Sequence, residues 1–372
     1  VFNNTTAVEL STVVTKSVID QISIDPNEID EVIIGCVLTA GLGQAPARQV
    51  SIASGLSLDT GAITVNKVCS SGLQSILIGN DMIKAGTANI VLAGGMESMT
   101  MSPYLMPNAR QGYRMGSSEV IDHMFSDGLQ NPYDQNLMGY FAEQTSKKYG
   151  FTREDQDLFS IESVNRSLRA QKSGLFDDEI EPVVVKTRRD TTTISKDEEP
   201  EKCDIDKIPS MRPAFDKNGT VTAASSSSIS DGAASLIIMS ADEAESRGLK
   251  PLAIIRGHKR HSQEPEWFTT ANIGAIDKLQ KELNWNKDLV DLYEINEAFA
   301  CVTMAAMTDL DIDHKKLNIH GGACALGHPI GASAARILIT LIYALRNNNG
   351  KCGIASACNG GGEAVAIAIE IP

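Results

Sequence analysis

Apolar and polar residues alternate along this chain in blocks whose spacing changes from strand-like to helix-like several times. Residues 7–22 place apolar side chains on one face at helical spacing, which predicts an amphipathic helix. Two further helical patterns end at Gly55 and Gly86. Three short apolar runs are predicted buried strands: "EVIIGCVL" (31–38), "AITVNKV" (62–68) and "NIVLAGG" (89–95). The alternation predicts an α/β fold with largely parallel strand pairing.

The region from residue 99 to residue 229 interrupts this rhythm. It is rich in Met, Pro, Asn and charged residues and carries one clear helical pattern, at about 152–173. Strand-like runs then resume: "AASLIIMS" (233–240), "LAIIRGH" (252–258) and the strand–glycine turn–strand pattern "GIASACNGGGEAVAIAIEI" (353–371). We therefore divide the chain into an N-terminal half (1–98 with 230–250), an inserted loop domain (99–229) and a C-terminal half (251–372).

Two stretches far apart in the chain share one layout. In "AITVNKVCSSGLQSI" and in "DLVDLYEINEAFACV", an apolar strand pattern leads through polar residues into a helical pattern. The shared layout indicates an internal duplication of the fold.

Composition and charge exclude several classes of function. The formal net charge is −14, which argues against a nucleic-acid partner because phosphate binding needs a basic surface. No apolar run approaches the roughly 20 residues that cross a membrane, and no signal-peptide pattern opens the sequence. The seven cysteines form no C-x-x-C pair, so we expect reduced thiols in a cytoplasmic protein and no metal site.

The stretch "VNKVCSSGLQSI" (65–76) places Cys69 at the junction between a predicted strand and a predicted helix. The partial positive charge of a helix N-terminus lowers the pKa of a nearby thiol, and Ser70 or Ser71 can cap the helix. Free cysteines are also common in protein cores, so a small buried packing residue is the alternative.

Three other segments place reactive side chains at turns. His328 lies in the Gly-rich loop "GGACALGHPIGASAAR" (321–336), and Cys358 lies in the glycine turn "SACNGGGEA" (356–364). Asn296 and Glu297 follow a predicted strand in "YEINEAFA" (293–300). A histidine suits proton transfer near neutral pH, and a glycine turn lets backbone N–H groups approach an oxyanion. Taken singly, each segment also allows a structural interpretation, such as a hairpin or a capping asparagine.

Taken together, these segments resemble the thiolase family. The matching motifs occur in the family's order: "NKVCSSGLQSI", "VLAGGMESM", "RPAF", "GTVTAASSSSISDGAA", "EINEAFA", "GGACALGHPIGASAAR" and "CNGGG". The resemblance implies a duplicated, five-layered α-β-α-β-α core with an inserted loop domain. It also implies a homodimer or a homotetramer.

The resemblance also implies a role for each reactive residue. Cys69 would be the nucleophile that accepts the acyl group, and His328 would assist its deprotonation. Cys358 would act as acid and base at the α-carbon of acetyl-CoA. His328, with a water held by Asn296, would hold the enolate oxygen, and the backbone N–H groups of Cys69 and Gly360 would meet the oxygen of the acyl-enzyme. Coenzyme A would be substrate and product, with no other cofactor.

The same resemblance places coenzyme A over the loop domain. Ser227 matches a serine that contacts the pantetheine, and Phe215 and Phe299 match residues beside the bound acyl-pantetheine. Leu137 and Met138 stand where short-chain acetyl-CoA acetyltransferases usually carry His-Met. Degradative 3-ketoacyl-CoA thiolases also lack that histidine, so the departure at Leu137 weakens the short-chain assignment.

The implied activity is the condensation of two acetyl-CoA to acetoacetyl-CoA and coenzyme A, or the reverse thiolysis. The alternatives are a 3-ketoacyl-CoA thiolase of β-oxidation and, in another class, a non-catalytic acyl-CoA or lipid binder on the same scaffold. A redox-sensing cysteine protein and a β-ketoacyl-carrier-protein synthase fit less well, because both cysteines have roles and synthases use two histidines instead.

One departure concerns the first sheet. Thiolases begin with a β-strand and an Arg-Thr-Pro loop that have no match in this sequence. We expect that strand to be central, so its absence should leave "EVIIGCVL" and one strand of the resumed segment with unpaired backbone groups. Closing the gap would shift Cys69 relative to His328. We therefore expect either a disordered or omitted N-terminal segment, or a chain that folds but is weakly active or inactive.

Overall fold

The computed structural model describes residues 1–186 and 190–372, which form helices and strands in alternation. The strands are β1 Glu31–Gly35, β2 Gly61–Val65, β3 Ile90–Ser98, β4 Tyr104–Leu105, β5 Ile121–Asp122, β6 Val183–Lys186, β7 Thr191–Ile194, β8 Asp231–Met239, β9 Ile254–Ser262, β10 Leu292–Ile295, β11 Cys352–Asn359 and β12 Glu363–Glu370. The helices are α1 Ala7–Ile22, α2 Pro46–Ala53, α3 Ser71–Lys84, α4 Met138–Tyr149, α5 Arg153–Lys172, α6 Glu199–Lys202, α7 Ala241–Ser246, α8 Ala271–Leu283, α9 Ala300–Leu310, α10 Ala323–Leu326 and α11 Ile330–Asn347.

Eight of the strands form two four-stranded sheets. The first sheet has the order β2-β1-β3-β8 and the second has the order β10-β11-β12-β9. The pairs β1–β2, β1–β3 and β10–β11 are parallel, whereas β3–β8, β11–β12 and β12–β9 are antiparallel. The prediction of largely parallel pairing is therefore wrong. β11 and β12 are joined by a tight glycine turn, and only antiparallel neighbours can be joined that way.

Helices and sheets alternate in five layers. α1 and α2 pack on the outer face of the first sheet, α3 and α11 lie between the two sheets, and α8 and α9 cover the outer face of the second. Both faces of α11 are apolar because the helix contacts a sheet on each side. The predicted α-β-α-β-α core is confirmed.

Most predicted elements are present, with different ends. α1 covers the predicted 7–22, and its first turn is capped by reciprocal hydrogen bonds between Thr6 and Glu9. β1 ends at Gly35 rather than at residue 38, because the chain then leaves the sheet. The inserted region contains α4 as well as α5, and only α5 was predicted. The domain boundaries at 98, 229 and 250 remain our division of the chain.

The two sheets repeat one arrangement of strands. In β1-β3-β8 and in β10-β11-β12, a parallel pair is followed by an antiparallel strand. The counterpart of β10 is therefore β1, and the sequence layout that paired β2 with β10 was out of register. The second sheet continues beyond β12 with β9, whereas β8 is the edge of the first sheet.

The expectation of a gap in the middle of the first sheet is wrong. β1 is paired on both sides, with β2 and with β3, so its backbone groups are satisfied. The place for the unmatched first strand lies instead at the β8 edge of this sheet. A cavity of about 1060 Å³ runs there along β8, between α1 and α11. In the second sheet β9 pairs with β12, and the six central residues of β12 are buried. In the first sheet β8 has no such neighbour, and most of its residues are only half-buried. An open edge of this kind leaves the centre of the sheet, and the residues attached to it, in place.

Candidate active site

Cys69 lies in a tight turn between β2 and α3. Val68 just before it has a φ of 46°, a left-handed conformation that β-branched residues rarely adopt. The Ser71 hydroxyl accepts the Lys67 N–H at 2.8 Å and donates to the Val68 carbonyl at 2.6 Å, which closes the turn. Local strain of this kind is maintained only where surrounding contacts enforce it, as they commonly do at functional sites.

Ser70 connects this turn to the other half of the chain. Its hydroxyl lies 2.9 Å from the Ala357 carbonyl and 2.8 Å from Oδ1 of Asn359, the two residues that flank Cys358. Ser70 occupies the N-cap position of α3, but its side chain makes no capping hydrogen bond. The predicted capping role is therefore wrong, because the hydroxyl donates across the interface between the halves instead.

Cys358 lies on β11 and is completely buried. The strand ends one residue later in a turn in which Gly361 and Gly362 adopt φ of 94° and 85°, conformations open to glycine. Burial raises the pKa of the Cys358 thiol, and the nearby Cys69 raises it further. The nearby Asn272 side chain opposes this effect. The two predicted cysteines are therefore neighbours in the structure.

His328 lies just before α11 and is almost fully buried. Its Nδ1 lies 2.5 Å from the Ser333 hydroxyl, which itself donates to the Pro329 carbonyl at 2.9 Å. Ser333 has only one hydroxyl hydrogen, so it accepts from Nδ1–H of His328. The other nitrogen, Nε2, therefore carries the lone pair and is the atom that can accept a proton.

Asn296 brings β10 to the same place. It follows the strand directly, is buried, and its Nδ2 lies 3.3 Å from Nε2 of His328. Its backbone N–H donates to the Ser356 carbonyl at 3.0 Å, which fixes the end of β10 against β11. The amide and the imidazole are thus held side by side by the C-terminal half.

Burial reverses the expected effect on the nucleophile. The helix N-terminus was expected to lower the pKa of Cys69, but burial raises it to about 12. The backbone N–H groups of Gly360 and of Cys69 itself act in the opposite direction. Burial also lowers the pKa of His328 to about 3. Both groups are therefore neutral at pH 7, and the thiol must pass its proton to a base when it reacts.

An aromatic wall lies beside these residues. The Phe215 ring packs on the backbone of Gly139 so closely that a Cβ there would lie 2.3 Å from the ring. Phe299 meets Phe215 edge to face, with ring centroids 5.9 Å apart. A Cβ on Gly360 would lie 3.5 Å from the Met138 sulfur, so the start of α4 reaches the glycine turn.

The two remaining predicted contacts lie on the neighbouring loops. Ser227 is tied to the Ala298 carbonyl through its N–H at 3.1 Å and its hydroxyl at 3.0 Å, next to Phe299. Leu137 is half-buried at the N-cap position of α4, directly before Met138. The structure thus brings all ten predicted residues into two adjoining groups, the reactive side chains and the aromatic wall.

The comparison with known families decides which scaffold this is. The model of the thiolase N-terminal domain matches residues 1–242, and the model of the thiolase C-terminal domain matches residues 249–371. The chain belongs to the thiolase family.

Known thiolases and acetyltransferases match this thiolase over almost its whole length. It is 47% identical over 363 residues to a probable acetyl-CoA acetyltransferase of Dictyostelium discoideum. The alignment covers 97% of this chain and 88% of that protein. The crystal structure of the Bacillus anthracis acetyl-CoA acetyltransferase has a TM-score of 0.97 at 37% identity and covers 100% of this chain and 94% of that one. A thiolase from Ascaris suum in complex with coenzyme A has a TM-score of 0.95 at 39% identity, with 100% and 95% covered.

Sequence reasoning left the role of Glu297 open, and the structure gives this thiolase a specific use for it. The buried carboxylate accepts the Ser163 hydroxyl at 2.7 Å, the Asn318 side-chain amide at 2.8 Å and the Cys324 N–H at 3.1 Å. It therefore joins β10, α5 of the inserted region and the loop that leads to His328. Ser333 and Ser70 were likewise not assigned these contacts, because serines in "SAAR" and "CSSG" carry no distinguishing signal.

Within residues 1–186 and 190–372 of this thiolase, no group of three or more His, Cys, Asp or Glu side chains is arranged to hold a metal ion. Across the same described residues, no helix is long and apolar enough to span a bilayer.

Proposed function

We propose that this thiolase transfers acyl groups between thioesters of coenzyme A. It condenses two acetyl-CoA to acetoacetyl-CoA and coenzyme A, and it catalyses the reverse thiolysis. The observation that carries the proposal is that Cys69 and Cys358 are neighbours and that Asn296 holds His328 next to β11, the strand that carries Cys358. Two thiols and an imidazole in one site provide a nucleophile, an acid–base group and a proton acceptor.

In the first half-reaction, the Cys69 sulfur attacks the thioester carbonyl of acetyl-CoA while Nε2 of His328 takes the thiol proton. The departing coenzyme A sulfur takes the proton of Cys358. The acetyl group remains on Cys69, Cys358 is a thiolate and His328 is protonated. The lone pair on Nε2, fixed by the Ser333 contact, supports this role for His328.

In the second half-reaction, the Cys358 thiolate removes an α-proton from a second acetyl-CoA. The resulting carbanion attacks the acetyl group on Cys69, and the released Cys69 thiolate recovers its proton from His328. Both cysteines and the histidine return to their starting states, so the protons balance over the cycle. Product leaves before the second substrate reacts, which makes the kinetics ping-pong.

Two sets of donors stabilise the oxygen anions of these steps. The backbone N–H groups of Gly360 and Cys69, which already act on the Cys69 sulfur, meet the oxygen of the acyl-enzyme. Protonated Nε2 of His328 and the Asn296 amide, 3.3 Å apart, meet the enolate oxygen of the second acetyl-CoA. Donors fixed in a buried site stabilise developing charge more effectively than water does.

Coenzyme A enters along the aromatic wall in this proposal. Phe215, Phe299 and Met138 present apolar surface beside Gly360, and Ser227 presents a polar group next to them. The Ascaris suum thiolase structure contains coenzyme A, which supports coenzyme A as substrate and product here. No further cofactor takes part in the steps above.

The decisive assay is thiolysis of acetoacetyl-CoA by coenzyme A, followed as loss of ketoacyl-CoA absorbance. We expect turnover within the ordinary enzyme range of about 1–10³ s⁻¹. A parallel assay uses a 16-carbon 3-ketoacyl-CoA. Faster thiolysis of the long substrate would replace this proposal with a degradative thiolase. Absence of turnover with both, together with tight acyl-CoA binding, would favour the non-catalytic binder.

Leu137 is the observation that favours longer substrates as a second candidate. An aliphatic side chain before Met138 adds apolar surface near the acyl site, and each buried CH₂ contributes about 0.8 kcal/mol. We therefore expect four- to six-carbon ketoacyl-CoA substrates to be accepted, and Leu137→His to shift preference toward the four-carbon substrate. The ratio of kcat/KM for the six-carbon ketoacyl-CoA to kcat/KM for the four-carbon ketoacyl-CoA measures this preference. Leu158→His, at an exposed position on α5, is the control, and an unchanged ratio in Leu137→His rejects the idea.

We also propose that the enzyme is a homodimer or homotetramer in the cytoplasm. Exposed apolar side chains in the inserted region, among them Tyr104, Met115 and Val120, support burial against another copy. All seven cysteines are free, as the proposed thiol chemistry requires. Analytical ultracentrifugation of the purified chain distinguishes the monomer from the two oligomers.

A further inference from the structure

Glu97 has no role in the reaction proposed above, yet it is a fully buried carboxylate beside the site. It lies on β3, one residue before the strand ends, and is 0% exposed. Its Oε2 accepts the Val37 N–H at 3.0 Å and the Gly331 N–H at 3.0 Å, and its Oε1 accepts the Leu38 N–H at 3.1 Å. Three N–H donors on one carboxylate form a specific cradle in the interior.

These three donors belong to two separate segments of the chain. Val37 and Leu38 follow β1 at the point where the chain leaves the sheet. Gly331 lies in the first turn of α11, three residues after His328. The carboxylate therefore ties the loop that carries the histidine to the end of the first sheet.

The fit between α11 and β3 leaves no room for another arrangement. A Cβ on Gly331 would lie 2.6 Å from the Met96 carbonyl, and a Cβ on Gly95 would lie 2.1 Å from the Gly331 carbonyl. Such close backbone approach places the first turn of α11 directly on the strand that carries Glu97. A change in the carboxylate must therefore be transmitted to the helix and to the histidine before it.

The same contacts hold an apolar cluster beside Cys69. Val37, Leu38 and Ile330 form a buried apolar cluster with Met99 and Met124, and Cys69 packs against it. Two of these residues receive their backbone position from Glu97, and Ile330 directly precedes Gly331. The nucleophile and the histidine thus rest on groups held by one side chain.

The carboxylate suits this place better than an amide of the same shape would. Three N–H donors face the two oxygens, and a glutamine would turn its own NH₂ toward at least one of them. Burial raises the pKa of Glu97 to about 7, and its three backbone hydrogen bonds oppose that rise. A carboxylate at such depth is retained only where its hydrogen bonds compensate for lost hydration.

We propose that Glu97 is a positioning residue for acyl transfer, because its carboxylate fixes the His328 loop and the apolar cluster beside Cys69 through the N–H groups of Val37, Leu38 and Gly331. This inference rests on the proposed function of Cys69 and His328.

The test is Glu97→Gln, with Asp30→Asn as a matched control. Asp30 also ties β1 to β3 through backbone N–H groups, those of Asn89 at 2.6 Å and Ile90 at 3.0 Å, but at the opposite end of the strands. Each purified variant is assayed for acetoacetyl-CoA thiolysis, for the KM of coenzyme A, for the rate of Cys69 acetylation by acetyl-CoA and for thermal unfolding.

We expect Glu97→Gln to lower kcat and the acetylation rate about 10- to 100-fold, since misplacement by about 1 Å can cost 10²-fold. The KM of coenzyme A should stay within about twofold. Asp30→Asn should lower the unfolding temperature but leave kcat unchanged.

A folded Glu97→Gln enzyme with unchanged kcat would overturn the assignment. So would an equal loss of kcat in Asp30→Asn at the same loss of thermal stability. Failure of the proposed function itself has a different signature, because acetylation would then persist in Cys69→Ala whatever stands at position 97.

Discussion

Cys69→Ala will take up no acetyl group from acetyl-CoA, whereas Cys358→Ala will still take up one and will then fail to form or cleave a carbon–carbon bond. Cys69 has the backbone N–H groups of Gly360 and its own residue directed at its sulfur, as an acyl-accepting thiol requires. The raised pKa of Cys358 is opposed by its own N–H and by the Asn272 side chain, and Cys358 lies beside Cys69 near the end of β11. The acetyl adduct is read by mass spectrometry of the intact protein and of its peptides.

Cys203→Ala is the matched control for both variants. Cys203 is a free, half-buried cysteine in the inserted region and has no part in the proposed site. It should accept one acetyl group and turn over acetoacetyl-CoA at the unmodified rate. Normal labelling of Cys69→Ala would show that another residue is the nucleophile, and normal thiolysis by Cys358→Ala would remove its acid–base role.

His328→Ala will lower kcat by at least 10²- to 10³-fold, the typical effect of losing one oxyanion donor, and will change KM much less. The loss of kcat should be near the upper end of this range, because the same nitrogen also takes the Cys69 proton. Asn296→Ala removes only the neighbouring amide and should cost less than His328→Ala. A change confined to KM in His328→Ala would show that the imidazole only holds substrate.

We expect the same histidine to stay neutral across the usual range of a pH titration. Burial lowers the pKa of His328 to about 3, so its NMR signal, identified by its absence in His328→Ala, should not shift between pH 5 and pH 8. Its folded pKa lies below the unfolded value of about 6.5. The stability it contributes is therefore present above pH 6.5 and lost as pH falls toward 3, on the order of 5 kcal/mol in total. A transition near pH 6.5 would contradict this environment.

Sequence patterns predicted the reactive residues better than the contacts that hold them. Cys69, Cys358 and His328 stand in short segments with glycines and a strand–helix switch, and those signals are local. Ser70 and Glu97 depend on partners far away in the chain, Asn359 and Gly331, so no local pattern could assign their contacts. Likewise, the helix dipole at Cys69 was predictable, but the burial that outweighs it arises only when both halves pack together.

The order of the strands within each sheet was the second feature that the sequence did not predict. The layout that paired β2 with β10 came from two similar segments of sequence, and the expected central gap came from the place that the family resemblance implied for the unmatched strand. Parallel strands need not be neighbours in sequence, and here β1 pairs with β3 although α2, β2 and α3 lie between them in the chain. The period of the hydrophobic residues identifies a strand but carries little information about which strand lies next to it. That neighbour is determined by hydrogen bonds between segments far apart in the chain.

The Ser70 contact also determines when the nucleophile becomes competent during synthesis. Its partners Ala357 and Asn359 lie 287 and 289 residues later in the chain. At about 5–20 residues per second, roughly 15 to 60 seconds separate the emergence of the thiol from the emergence of the strand that completes its surroundings. A nascent chain therefore contains Cys69 before it contains the amide of Gly360 that acts on its sulfur. Acyl transfer can begin only after β11 and its glycine turn have been made and have folded against α3.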